Sequence, residues 1–201
     1  MRYGMVINLK RCIGCDACAI ACKQANGTPP GTFWSHVIHK EVGKFPNAKV
    51  EYTPLLCMHC ENAPCVTNCP TGASIKEENG IVRVLADKCI GCKQCIVACP
   101  YQARWFKDYK AKGYFPSEGF TDKEKADYGK FELGKVTKCD FCWERVQVGE
   151  DPICVQICPA TARIFGDLDD PQSEVSQLLH HNESKQLVPE AGTNPAVYYI
   201  G

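Results

Sequence analysis

The sequence predicts an α+β protein of two small units, with small β-hairpins, short helices and long loops. Three observations predict it. Sixteen cysteines in 201 residues sort into four groups of four with none left over. The strand-like stretches between groups are short and broken by Gly, Pro and Asn turn signals. The length suits one domain or two small ones with a sizeable apolar core.

An apolar fraction of 45% and 23 basic against 23 acidic residues describe a soluble globular chain, not a disordered one. The charges are interspersed, so no nucleic-acid surface is expected. No stretch approaches the roughly 18 uninterrupted apolar residues of a membrane span. The start, MRYGMVINLKRC, has neither the tripartite export pattern nor a twin arginine, so the chain is expected to carry no export signal of its own. A subunit can still be exported on a partner's signal.

In chain order, the first quartet is CIGCDACAIAC, with Cys12, Cys15, Cys18 and Cys22. Residues 26–52 follow without an assigned element. The second quartet, CMHCENAPCVTNCP, holds Cys57, Cys60, Cys65 and Cys69. TGASIKEENGIVRVLADKC then reads as strand, turn, strand, with Asn79-Gly80 at the turn. The third quartet, CIGCKQCIVACP, holds Cys89, Cys92, Cys95 and Cys99. Residues 101–135 lack cysteine and read either as a solvated excursion or as a docking surface built on Trp105, Phe106, Tyr109, Tyr114 and Phe115. The fourth quartet is CDFC and, after an eleven-residue gap, CVQICP, giving Cys139, Cys142, Cys154 and Cys158. That gap predicts an inserted loop, with Trp143 packed over the site. ATARIFGDL reads as a strand. DDPQSEVSQLLHH reads as a short helix capped by Asp169 or Asp170, with Pro171 at its first position. The tail from Leu187 to Gly201 reads as an extended arm laid on this chain or on a partner.

Three chemistries compete for the cysteines. A disulfide framework fits small secreted domains, but CxxC neighbours are poor structural partners and no secretory signal is present. Structural zinc takes paired CxxC units, but rarely a CxxCxxC run closed by CP. The run CxxCxxCxxxCP is the bacterial ferredoxin ligand set: three thiolates wrap one 4Fe–4S cluster and the fourth reaches the other cluster of a pair. Two complete CxxCxxCxxxC runs, the second closed by proline, and two variants point to iron. The histidines, His36, His39, His59, His180 and His181, are not needed as ligands; His59, inside the second quartet, lies near a cluster by position alone.

The second and third quartets lie about thirty residues apart, the spacing of a compact two-cluster ferredoxin, which leaves the first and fourth to pair across the chain. Nested pairing predicts four sites. They are Cys12, Cys15, Cys18 with Cys158; Cys22 with Cys139, Cys142, Cys154; Cys57, Cys60, Cys65 with Cys99; and Cys69 with Cys89, Cys92, Cys95. The expected fold is thus two ferredoxin-like 4Fe–4S domains in a pseudo-two-fold relation. One comprises residues 1–50 and 102–201, with the inserted loop 101–135 and the arm 187–201; the other comprises 51–101. Sixteen thiolates less four oxidised cores leave the metallated chain about eight charges more negative than the bare count. Lys23, Lys93, Lys138 and Arg163 are candidates to offset that charge and raise cluster potentials.

Four such quartets, the last split and followed by ATARIFGDLDDPQSEVSQL, resemble a known family, the four-cluster iron–sulfur subunits of the dimethyl sulfoxide reductase-type molybdopterin oxidoreductases. GMVINLKRCIGCDAC, CPYQAR, GDLDDPQS and PEAGTNPAVYYI are most similar to the small subunits of polysulfide, thiosulfate and respiratory arsenate reductases. The resemblance implies four 4Fe–4S clusters here, no catalytic residue, and molybdopterin only on the partner. It implies an electron-transfer subunit of a respiratory-type oxidoreductase. The expected partners are a large molybdopterin catalytic subunit and a quinone-linked membrane anchor or cytochrome. A periplasmic or extracytoplasmic site reached by co-export is expected, with a cytoplasmic one as the alternative. Two rivals stay open on the residues alone: a freestanding polyferredoxin carrier, and a cysteine-rich scaffold without redox chemistry.

Overall fold

The computed structural model describes residues 1–108, 113–115, 117–128 and 133–201. Tyr109 of the aromatic segment lies outside them.

In chain order the elements are β1 (Tyr3–Asn8), α1 (Ala17–Asn26), β2 (His36–Val42), β3 (Lys49–Leu55), α2 (Pro64–Thr67), β4 (Ser74–Lys76), β5 (Val82–Val84), α3 (Gln94–Val97) and β6 (Trp105–Phe106). There follow α4 (Asp122–Tyr128), β7 (Val136–Thr137), α5 (Trp143–Gln147), α6 (Ile153–Gln156), β8 (Arg163–Asp167), α7 (Glu174–His181), β9 (Ser184–Lys185), a 3₁₀ turn (Pro189–Ala191) and β10 (Val197–Ile200).

The two chain ends build the largest sheet. Its order is β8-β1-β10-β9, with β1 antiparallel to β8 and parallel to β10. Strand β1 is covered on both faces, so its middle reads as an unbroken apolar run, Gly4 to Ile7, all buried. Alternation then sorts its side chains. Met5 and Ile7, with Val197 and Tyr199 of β10, belong to the core that holds buried cysteines from all four quartets. Val6, Ile164 and Ile200 turn to the other face and pack with Val175 of α7. The sheet therefore separates a cysteine core from a smaller aliphatic one. The Tyr199 hydroxyl donates to the carbonyl of Pro54 at 2.8 Å and ties β10 to the end of β3.

Three two-stranded ribbons complete the β structure. The expected Asn79-Gly80 hairpin forms: β4 pairs with β5, with Gly80 at φ 83° in the turn. Strands β2 and β3 make a longer ribbon, from the pair His36–Leu55 to the pair Val42–Lys49, mostly within the stretch the sequence left unassigned. Strands β6 and β7 join the two ends of the cysteine-free segment, Trp105 opposite Thr137.

Two expectations need correction. The helix after β8 begins at Glu174, later than read, with Ser173 as its N-cap accepting from the Ser176 N–H. Asp170 instead closes the preceding turn, its carboxylate accepting from the Gln172 N–H at 2.8 Å, and Pro171 lies in that turn. Ser173 wins because its Oγ reaches the free N–H of a helix whose apolar residues, Val175 and Leu178, start only there. The tail lies on this chain, one of its two expected placements, but as more than an arm: β10 is an interior strand of this chain's own sheet, between β1 and β9.

Candidate metal centres

Each quartet opens on a tight loop. In all four CxxC units the residue before the second cysteine is left-handed: Gly14 at φ 67°, His59 at 43°, Gly91 at 69° and Phe141 at 56°. That turn aims both thiols to one side of the loop. Glycine takes it without cost, and at Gly91 nothing larger fits, since a Cβ would lie 2.1 Å from the Gly134 carbonyl oxygen. His59 and Phe141 carry the strain of roughly 1–2 kcal/mol each. The third cysteine of each quartet then sits on a helix: Cys18 on α1, Cys65 on α2, Cys95 on α3 and Cys154 on α6. Helix α1 packs on α6 and α2 on α3, so quartets one and four meet, and quartets two and three meet.

The thiols gather as follows. Cys12, Cys15, Cys18 and Cys158 line one small cavity with Arg163. Cys69, Cys89, Cys92 and Cys95 line another. Cys22 lies beside Cys142 and Cys154, and Cys139 beside Cys22 and Cys154. Cys60 lies beside Cys57, Cys65 and Cys99. Cys15 and Cys92, in the two cavities, are exposed, whereas Cys22, Cys139 and Cys154 are buried, as are Cys57, Cys60 and Cys65.

As free thiols several of the buried groups resist ionisation. Burial, with neighbouring sulfurs adding to it, pushes Cys60 up to about 12 and Cys142 to about 11, and holds Cys22, Cys139 and Cys154 above the usual thiol value. Cys69 goes the other way. Against the burial that raises it, the Ser74 N–H, 3.4 Å from its sulfur, and Thr71 bring it down to about 7. Other N–H groups reach sulfur too: Ala162 N to Cys158 at 3.3 Å and Asn26 Nδ2 to Cys22 at 3.4 Å. Bound metal reverses the cost of burial, because its positive charge stabilises thiolates that the dry core disfavours.

The residues suit a cubic iron–sulfur cluster better than zinc. Among the described residues no set of three or more His, Cys, Asp or Glu side chains closes tightly enough to hold a single ion. Zinc would need four sulfurs at about 2.3 Å from one point. The all-sulfur donor set matches a cluster that presents several iron corners. Buried polar atoms agree. Nη2 of Arg104 and both Nη atoms of Arg163 are buried without a hydrogen-bond partner, a poor arrangement unless an anion lies against them.

The halves are joined by a pair of rings. The His59 and Phe141 rings stack at 3.7 Å between centroids, 16° from parallel. Phe141 also meets Phe165 edge-on at 5.1 Å. The same junction brings Cys139 of quartet four beside Cys57 of quartet two. The His59 Nδ1 accepts from the Val82 N–H at 3.0 Å, and burial, with Lys138 and Arg104 near, holds the imidazole well below its ordinary value. Buried Lys138 donates to the carbonyls of Val82 and Cys139, binding β5 to quartet four. Trp143 lies against Arg83, whose guanidinium is 4.2 Å from the ring centroid. The expected loop after CDFC opens with a short helix, α5, before residues 148–152 lead into α6, which carries Cys154. Of the tuning candidates, Lys23 lies near Cys22 but donates to the carbonyls of Pro29 at 3.0 Å and Thr32 at 2.9 Å, and Lys93 lies over Phe106. Sequence reasoning missed Arg104 and the stack. The signals were present: CPYQAR and CPATAR place an arginine at the same offset, and CMHC and CDFC put a ring where the other two quartets have glycine.

A family model described as a 4Fe-4S dicluster domain matches residues 48–114 and 125–168, and a second with that description matches residues 11–73. The arsenate respiratory reductase iron-sulfur subunit of Shewanella sp. is 43% identical over 100% of this chain and 96% of its own length. A putative dimethyl sulfoxide reductase iron-sulfur subunit of Halobacterium salinarum is 43% identical over 98% of this chain and 78% of its own. A selenate reductase subunit of Mesobacillus selenatarsenatis is 40% identical over 100% of this chain and 72% of its own.

Proposed function

The chain belongs to the 4Fe-4S dicluster family of reductase iron–sulfur subunits, and from that premise we propose how it works. It is the electron-transfer subunit of a molybdopterin oxidoreductase. Its cofactors are 4Fe–4S clusters, which when bound supply one-electron carriers. The protein's part is to hold them in fixed places, keep water from the inner two sites and leave the outer two near the surface.

We assign the ligands as Cys12, Cys15, Cys18, Cys158; Cys22, Cys139, Cys142, Cys154; Cys57, Cys60, Cys65, Cys99; and Cys69, Cys89, Cys92, Cys95. The observation that carries this is the gathering of each set from two distant stretches of chain, two of the sets around enclosed cavities. In this reading residues 1–50 with 102–201 form one dicluster domain and 51–101 the other, related by a pseudo-two-fold. The packing of α1 on α6 and of α2 on α3 supports it. Exposed Cys15 and Cys92 mark the two ends of the conductor. The large catalytic subunit carries molybdopterin, and a quinone-linked membrane anchor or cytochrome is the second partner. Co-export with the catalytic subunit places the complex outside the cytoplasm.

The test is anaerobic purification from the native source. About sixteen irons per chain and co-migration with a large molybdenum-containing subunit are expected. A lone metallated chain would make it a free carrier instead, and zinc or an absence of metal would overturn the reading.

A further inference from the structure

The hexapeptides CPYQAR (99–104) and CPATAR (158–163) end the third and fourth quartets, and each delivers an arginine into the interior. Arg104 is 4% exposed and Arg163 3%. Among the described residues neither forms an ion pair with a carboxylate. Arg104 Nη1 donates to the Ser74 hydroxyl at 2.8 Å, while its Nη2 has no partner. Both terminal nitrogens of Arg163 are without one. A guanidinium is always charged and keeps five donors, so burying one this way is costly unless a negative group is close.

What lies close is sulfur, in a repeated pattern. Arg104 sits beside Cys65 and Cys95, the third cysteines of quartets two and three. Arg163 sits beside Cys154 and Cys18, the third cysteines of quartets four and one. Under the ligand assignment above, on which this inference rests, each of those two pairs of cysteines serves two different clusters. Each arginine is therefore placed between the two clusters of one dicluster unit and belongs to neither alone.

We propose that Arg104 and Arg163 are the potential-setting residues of this subunit, each a single fixed cation shared by the two clusters it separates. Adding an electron makes a cluster more negative, and a neighbouring fixed positive charge favours that state. One shared cation thus raises the potential of both clusters in its unit and leaves the other unit little changed. Water screens the exposed lysines, and buried Lys138 lies beside Cys139 and Cys65, at the junction of the halves rather than between the two clusters of one unit. A buried guanidinium keeps both its charge and its orientation.

The experiment uses the full chain in its native complex, with Arg104→Gln, Arg163→Gln and the charge-keeping Arg104→Lys and Arg163→Lys. Iron per chain is measured first, then the four midpoints by redox titration followed by electron paramagnetic resonance. In Arg104→Gln, two midpoints fall by at least tenfold in reduction equilibrium constant, about 59 mV for one electron. In Arg163→Gln, the other two fall, and the lysine variants recover most of each shift. Full iron with unmoved midpoints overturns the proposal, as does a shift in one cluster only, or the same two shifted by both arginines. If a glutamine variant loses iron, its lysine counterpart decides: iron and midpoints retained support a role for charge, and their loss overturns it. An iron-free wild-type chain would instead defeat the ligand assignment, a separate result.

Discussion

Phe141→Ala tests whether the two halves are held by the stacked rings between them. Phe141 is 1% exposed, stacked on His59 at 3.7 Å and edge-on to Phe165. Truncating a buried Phe to Ala costs about 3–5 kcal/mol. The stack adds about 0.5–1.5 kcal/mol beyond the area it buries. Alanine would still hold a left-handed backbone at φ 56°, so that strain is not relieved. Glycine there relieves about 1 kcal/mol. Phe141→Gly should therefore be less damaging than Phe141→Ala, the reverse of the usual order. Loss of clusters is irreversible, so the assay is a rate: decay of the cluster absorption at fixed temperature under anaerobic conditions. If most of the loss appears in the opening rate, about 3–4 kcal/mol speeds decay roughly 100- to 1000-fold. A double-mutant cycle with His59→Ala isolates the ring pair, with a coupling of about 0.5–1.5 kcal/mol expected. Phe45→Ala, at a side chain 95% exposed, is the control. The reasoning fails if Phe141→Ala decays no faster than that control, or if glycine proves worse than alanine.

Three further outcomes follow from the same structure. Cys99→Ser should damage the site of Cys57, Cys60 and Cys65 and spare that of Cys89, Cys92 and Cys95, read from which spectroscopic signal is lost; the opposite loss would show the pairing is wrong. Stripping the iron with an anaerobic chelator should do more than bleach the protein. Cys57, Cys60, Cys65, Cys89, Cys95, Cys139 and Cys154 are members of the main core, so limited proteolysis should cut the stripped chain rapidly within 57–158; unchanged resistance would mean the core stands without metal. Ser173→Ala should destabilise α7 by about 1 kcal/mol, seen as faster amide exchange in Glu174–His181 with cluster content unchanged.

How much of this was legible in the sequence depends on the range of the forces involved. The hairpin at Asn79-Gly80 and strand β8 were readable because a turn dipeptide and a short strand-forming run act within a few residues. The start of α7 was misread because two capping signals lie close together, and Asp170 and Ser173 divide the work between turn and helix. The fate of the tail was invisible locally. VYYI is as apolar as many exposed arms, and only its pairing with residues 5–8, nearly two hundred positions away, makes it an interior strand. The four quartets were legible because ligand spacing is a local constraint. The junction between the halves was not, because a histidine in CMHC and a phenylalanine in CDFC each look like a tolerated variant of glycine. They become intelligible together. Two strained residues from loops some eighty positions apart stack on one another, and that contact offsets the strain of each. The quartets that keep glycine, CIGC in both cases, are those with an exposed thiol, Cys15 and Cys92. A ring at the left-handed position thus separates the inward-facing quartets from the outward-facing ones. The choice between glycine and an aromatic at that one position records which quartets meet across the junction and which carry an exposed thiol.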